Sequence, residues 1–292
     1  TFGLGGTGTG IGGTWTGITS LTGSGNTDTL TGASQTYNLT ALNAGNNGTV
    51  SWTSMENVHD TGTGTITTIG GTGGQTYNLT GANQGTSAGL LSGNFTGIGT
   101  LHDTGAGVFN MHSGADGSLT GNIVATGGSL SYAGYTTAAT FGLGGTGTGI
   151  GGTWSGITSV TGSGNSDTIS GTNQTYNLTA LNAGNNGTVS WTSFENVNDT
   201  GTGTIATTGG ETYNLTGANK GTMNLLSGSF THIGNLTDTG AATFNMHSGA
   251  DGSVSGNLSA VGGFLDYSGY SSAVTFNLDG TVAGGSTGIG GT

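Results

Sequence analysis

The chain has 292 residues, among them 67 Gly, no Pro, no Cys and a single cationic side chain, Lys220, giving a formal net charge of −12. One Lys cannot neutralise a row of phosphates, which excludes nucleic-acid binding. The same deficit repels anionic membrane surfaces, and no run approaches the roughly 18 apolar residues a spanning helix needs.

Short β-like runs follow one another along the chain. Strands are predicted at 15–21, 27–31, 36–39, 49–52, 64–68, 76–79, 95–101, 108–111, 118–123, 129–132 and 139–143. Each is rich in Thr, aromatic or β-branched residues and bounded by Gly, Asn, Asp or Ser. Gln35-Thr36-Tyr37-Asn38-Leu39-Thr40 shows the alternation plainly, with Tyr and Leu on one face and Thr and Asn on the other. No segment combines helix caps with a 3.6-residue apolar period, so helix is expected to be absent.

The chain also repeats itself. Thr1-Phe2-Gly3-Leu4-Gly5-Gly6 returns as Thr140-Phe141-Gly142-Leu143-Gly144-Gly145, and the match runs on to Ile66 and Ile205. A third copy opens at Thr275-Phe276-Asn277-Leu278. The units are read as 1–139, 140–274 and the start of a third at 275–292, forming one continuous solenoid. The third stops before the Trp that both earlier copies place at Trp15 and Trp154, which reads as a window on a longer array. Such an array is quasi-one-dimensional, with a thin core extended along an axis.

A finer motif lies inside each copy. Trp15-x-x-Ile18-x-x-Leu21 is echoed by Trp52-x-x-Met55-x-x-Val58 and Phe95-x-x-Ile98-x-x-Leu101, each followed by a Gly-x-Gly corner. The interval from Phe95 to Trp154 is long enough for two turns. If like stacks on like, Tyr37 lies near Tyr77, and Trp15, Trp52 and Phe95 form one buried row with Trp154, Trp191 and Phe230. Differences between copies separate inside from outside. Leu21 becomes Val160 and Met55 becomes Phe194, whereas His59 becomes Asn198 and His102 becomes Thr237. The expected fold is therefore all-β: a right-handed parallel β-solenoid, or β-helix, with coils about 4.8 Å apart.

Several motifs carry chemistry elsewhere. Asp-Thr-Gly occurs at 60–62, 103–105, 199–201 and 238–240. An aspartic protease needs two carboxylates sharing a proton in an apolar site, whereas here the triplet marks a corner and reads as turn chemistry. The five His show no metal-ligand spacing, and only His112 is matched, by His247. Gly23-Ser24-Gly25-Asn26-Thr27-Asp28-Thr29-Leu30 resembles the nonapeptide of calcium-binding β-rolls but carries one extra residue before its Asp, and Ser113–Leu119 departs as well. Asn38, Asn78, Asn94 and Asn214 open Asn-x-Thr triplets, glycan acceptors in a suitable host. No catalytic, cofactor-binding or metal-ligating residue is assigned, and calcium is the one cofactor weighed.

Phe264-Leu265-Asp266-Tyr267-Ser268-Gly269-Tyr270, followed by Ala273–Leu278, together with the motifs of 149–169, resembles repeats of very large bacterial surface proteins. These are the filamentous-haemagglutinin-like exoproteins and giant adhesins. The resemblance implies a secreted or cell-surface β-solenoid. The expected function is that of an extracellular fibre or adhesin shaft without a catalytic site, assembling or continuing end to end. Expected partners are the chain itself and cell-surface or matrix glycans. The alternatives are a Thr-array solenoid that binds ice or glycan, from Thr-x-Thr spacings such as Thr61, Thr63 and Thr65, and a calcium-binding β-roll-like adhesin segment.

Overall fold

The computed structural model describes residues 1–278 and 284–291. Of the third copy expected at 275–292, residues 279–283 and 292 therefore lie outside the described residues. The described chain is all-β without helix, and its strands stack in parallel as a β-solenoid. Two compact units result, one of Thr1–Thr137 with Gly145–Val160 and the other of Ala138–Gly144 with Thr161–Thr292.

In the first unit three parallel stacks build the core. Phe2, Leu30, Val58 and Phe95 lie in register on successive coils. On a second face the series is Tyr37, Ile66, Leu101 and Ile123. The third face carries Tyr77, Phe109 and Leu130. The second unit repeats the arrangement with Phe141, Ile169, Val197 and Phe230, then Tyr176, Ile205, Leu236 and Leu258, then Tyr213, Phe244 and Leu265. Along Thr36–Ala41 burial alternates for the first four residues, with Tyr37 and Leu39 enclosed, as the period-2 pattern requires. Enclosing each such side chain contributes about 1.5–3 kcal/mol, so stability comes from many thin layers rather than one broad core.

Two long strands, Asn57–Thr68 in the first unit and Asn196–Thr207 in the second, turn a corner without leaving the sheet. Each forms parts of two faces. Antiparallel excursions interrupt the parallel stacking. Thr36–Ala41 folds back on Ala44–Asn46, which pairs in turn with Ser51–Thr53. Thr76–Gly81, Gln84–Thr86 and Asn94–His102 do the same. The short strands Ala44–Asn46 and Gln84–Thr86 are absent from the sequence reading, because three residues are too few to show a period. The expected strand at 118–123 makes only isolated bridges at Ser118 and Leu119 before Ile123–Ser131 begins, and the one at 15–21 shortens to Ser20–Thr22.

The expected aromatic neighbours do not stack. Tyr37 lies over Ile66, and Tyr77 stacks on Phe109 with ring centroids 5.1 Å apart, so the expected Tyr37–Tyr77 neighbourhood is not found. The six-aromatic row is not found either. Leu21 is the partner of Trp52, and Val58 the partner of Phe95, so the last residue of one motif meets the first of the next. Trp52, Trp191, Phe95 and Phe230 are buried, and Trp52 meets Tyr37 edge-on at 6.1 Å. Trp15 and Trp154 are only half-buried, their indole N–H groups donating to the carbonyls of Thr7 and Thr146. Unequal loops cause the offset, since register follows the path of the chain between coils. The long interval before Trp154 does hold two turns: Leu101 pairs with Ile123, and Ile123–Ser131 pairs with Trp154–Thr161.

Candidate functional site at the aspartate corners

The four Asp-Thr-Gly triplets turn their carboxylates inward. Asp60, Asp103, Asp199 and Asp238 are all at most 2 % exposed. An isolated ionised carboxylate in such a place is costly, so each must be held by donors. At Asp60, Oδ1 accepts the backbone N–H of Ser34 at 2.7 Å and of Gly62 at 2.8 Å, while Oδ2 accepts the N–H of Gln35 and the hydroxyl of Tyr37, both at 2.9 Å. Asp103 repeats the set with Gly74, Gly105, Gln75 and Tyr77. Asp199 repeats it with Asn173, Gly201, Gln174 and Tyr176. At Asp238 the backbone donors are Gly210, Gly240 and Glu211, and Thr207 takes the tyrosine's place, its hydroxyl sharing a 2.5 Å hydrogen bond with Tyr213.

Each carboxylate thus binds its own corner to a turn on the preceding coil. Ser34, Asn173, Gly74 and Gly210 occupy equivalent places in that turn, all with positive φ, at 53°, 53°, 83° and 77°. This left-handed residue aims its own N–H and the next one at a single point, making a concave nest for an anion. At Asp60, Asp103 and Asp199 the motif extends to Asp-Thr-Gly-x-Gly. Asp points inward, and the hydroxyls of Thr61 and Thr200 donate to the carbonyls of Gly32 and Gly171. The first Gly gives its N–H to the carboxylate. A Cβ on the second, Gly64, would lie 2.9 Å from the Asp60 carboxyl, and Gly107 and Gly203 are as close to theirs, whereas the fourth corner carries Ala242 at this place.

The electrostatics follow from this geometry. Burial pushes the Asp60 carboxyl up, but the hydrogen bonds from Gln35, Ser34, Gly62 and Tyr37 outweigh it and hold the group below its ordinary value. Asp238 behaves alike, burial being outweighed by Glu211, Thr207, Gly240 and Gly210. Tyr37, Tyr77 and Tyr176 are pushed far above the usual phenol range, first by burial and then by the adjoining carboxylate. A carboxylate engaged by four donors does not serve as a general base, and these corners fit cohesion rather than catalysis.

A second set of polar contacts lies at the hairpin tips. Asn43, Asn83, Asn182 and Asn219 all adopt φ of 54–57°. The Asn43 side chain reaches Glu56 at 3.2 Å and Ser92 at 2.9 Å, and Asn182 does the same with Glu195 and Ser227. Asn83 accepts the N–H of Thr120, and Asn219 that of Ser255. Both sets include contacts between residues some 25 to 50 positions apart. That separation is why neither shows in a reading of local motifs; the signal was the recurrence of Gln/Glu-Thr-Tyr one coil before each Asp-Thr-Gly.

The remaining motifs are accounted for locally. Asp28 accepts the N–H of Ser24, and the buried Asp167 accepts the N–H and hydroxyl of Ser163 and the N–H of Ala139. The β-roll-like loop is therefore closed on itself by its own donors. Asp116 is engaged by His112 at 2.9 Å and by Thr136, and Asp251 by His247 at 2.8 Å and by Ser271. Among the described residues no three His, Cys, Asp or Glu gather as a metal-ligand group. One outward row changes from coil to coil, as in Thr31, His59 and Thr96, while another repeats Thr at 36, 65 and 100. The amides of the Asn-x-Thr triplets at Asn38, Asn78 and Asn214 are tied to Asn46, Asn110 and Asn245. No family model, curated protein or solved structure matches the chain.

Proposed function

We propose that this chain is part of an extracellular fibre or adhesin shaft, which assembles or continues end to end by stacking solenoid coils and works through length and cohesion rather than catalysis. The observation that carries the reading is the use made of the buried carboxylates. All four Asp-Thr-Gly groups, the motif best suited to chemistry, are given to joining one coil to the next. The composition agrees: net charge −12 disfavours side-by-side clumping, while axial stacking proceeds through backbone hydrogen bonds. The resemblance to giant bacterial surface proteins supplies the extracellular setting. Negative-stain electron microscopy of the native material tests it. Long thin filaments that bundle sideways as salt is raised are expected; isolated particles that neither lengthen nor associate would refute the shaft.

A further inference from the structure

We propose that the aspartate corners are a proton-operated lock on coil-to-coil cohesion: closed while the carboxylates are ionised, and opened within each unit when acid protonates them. The inference concerns regulation and does not depend on the shaft reading. Asp60 acts in the first unit and Asp238 in the second.

The geometry leaves a carboxylic acid no satisfactory arrangement. Each carboxylate receives four donors, two on either oxygen. Adding a proton to either oxygen sets a fifth donor against two already aimed at it. The nest N–H groups of Ser34, Gly74 and Asn173, which belong to exposed residues, would then turn from the corner to water. Protonation thus turns an attractive polar contact between neighbouring coils into a repulsive one.

The surroundings contain little that competes for the proton. Tyr37, Tyr77 and Tyr176 face their carboxylates directly, while Tyr213 and Glu211 face Asp238. The tyrosines are neutral throughout the acid range; the exception is Glu211, held above its ordinary value by burial and by Asp238, which takes up its proton before Asp238 does. The strands packed on the corners carry their other titratable groups outward. His59 meets Thr96, His102 and His232 lie on the outer side of their strands, and Lys220 is exposed on the strand Lys220–Met223. The carboxylates are held by backbone dipoles and hydroxyls rather than by a cation, so added salt has little to screen.

The direction of the effect is fixed. Asp60 and Asp238 lie below the ordinary carboxylate value in the folded chain, so their contribution is fully present above that value and is lost as pH falls through the lower, folded one. The lock is closed at neutral pH and opens only in acid, below the ordinary carboxylate range.

Urea unfolding followed by tryptophan fluorescence, repeated from pH 7 to pH 2, tests the proposal. The expected midpoint is level from pH 7 to 5, then falls steeply, and the fall persists in 1 M salt. Asp60→Asn and Asp238→Asn mimic the protonated corner, so each should lower the midpoint at pH 7 and take up about one proton fewer on acid unfolding. Tyr37→Phe, which keeps the fold while removing one donor, should move the acid transition to higher pH. The lock is overturned if the wild-type midpoint stays level to pH 2, if salt abolishes its fall, or if Tyr37→Phe leaves the acid transition where it was.

Discussion

Residues 11–18 and 150–157 of the first unit are two copies of nearly one sequence, and the molecule treats them differently. Ile11 and Ile18 are each 43 % exposed, whereas Ile150 and Ile157 are 8 % and 2 % exposed. The local conformation is the same: Gly17 and Gly156 have φ of 71° and 67°, and both Trp15 and Trp154 donate to a carbonyl eight residues back. The difference lies in the neighbour. Ile150 pairs with Leu119, and Ile157 lies against Gly128 of the strand Ile123–Ser131. A coil in this fold presents apolar residues but does not enclose them; the adjoining coil does.

Paired substitutions sharpen this contrast. The largest effect is expected at Trp52, enclosed between Tyr37 and Leu21, where Trp52→Ala should cost about 3–5 kcal/mol in urea unfolding. Trp15→Ala, at a half-buried ring, should cost well under half as much; equal losses would mean that enclosure is not what stabilises the motif. Next come the isoleucines. Ile157→Ala should lose about 2–4 kcal/mol and Ile18→Ala about 0.5 kcal/mol or less, so a thermal shift at both sites of similar size would break the comparison. Gly17→Ala should cost about 1–2 kcal/mol from its left-handed backbone alone, since nothing lies within 4 Å of the added methyl. Gly156→Ala should cost more than Gly17→Ala, because its methyl would meet the carbonyl oxygen of Ala125 at 1.9 Å. Hydrogen exchange over 15–22 and 154–161 would confirm the order, with slower exchange in the second segment.

The periodicity of Gln35–Thr40, the absence of any helical stripe, the Gly-bounded corners and the apolar-for-apolar exchanges at Leu21/Val160 and Met55/Phe194 determined an all-β solenoid, its inward faces and most of its strands. These properties are local: alternate residues of an extended chain face opposite ways whatever lies beside them. Which coil residue meets which was decided only by the tertiary structure. Tyr37 came to lie on Ile66, Leu21 on Trp52, and the two copies of one isoleucine diverged in burial, because register depends on the length and path of the loops between strands. The role of the Asp-Thr-Gly corners was half legible. The triplet marks a turn by composition, but its carboxylate's partners lie one coil away, on a nest formed by Ser34 and Gln35 or their equivalents. A contact between residues 25 positions apart has no local periodicity to betray it, and only stacking brings donor and acceptor together.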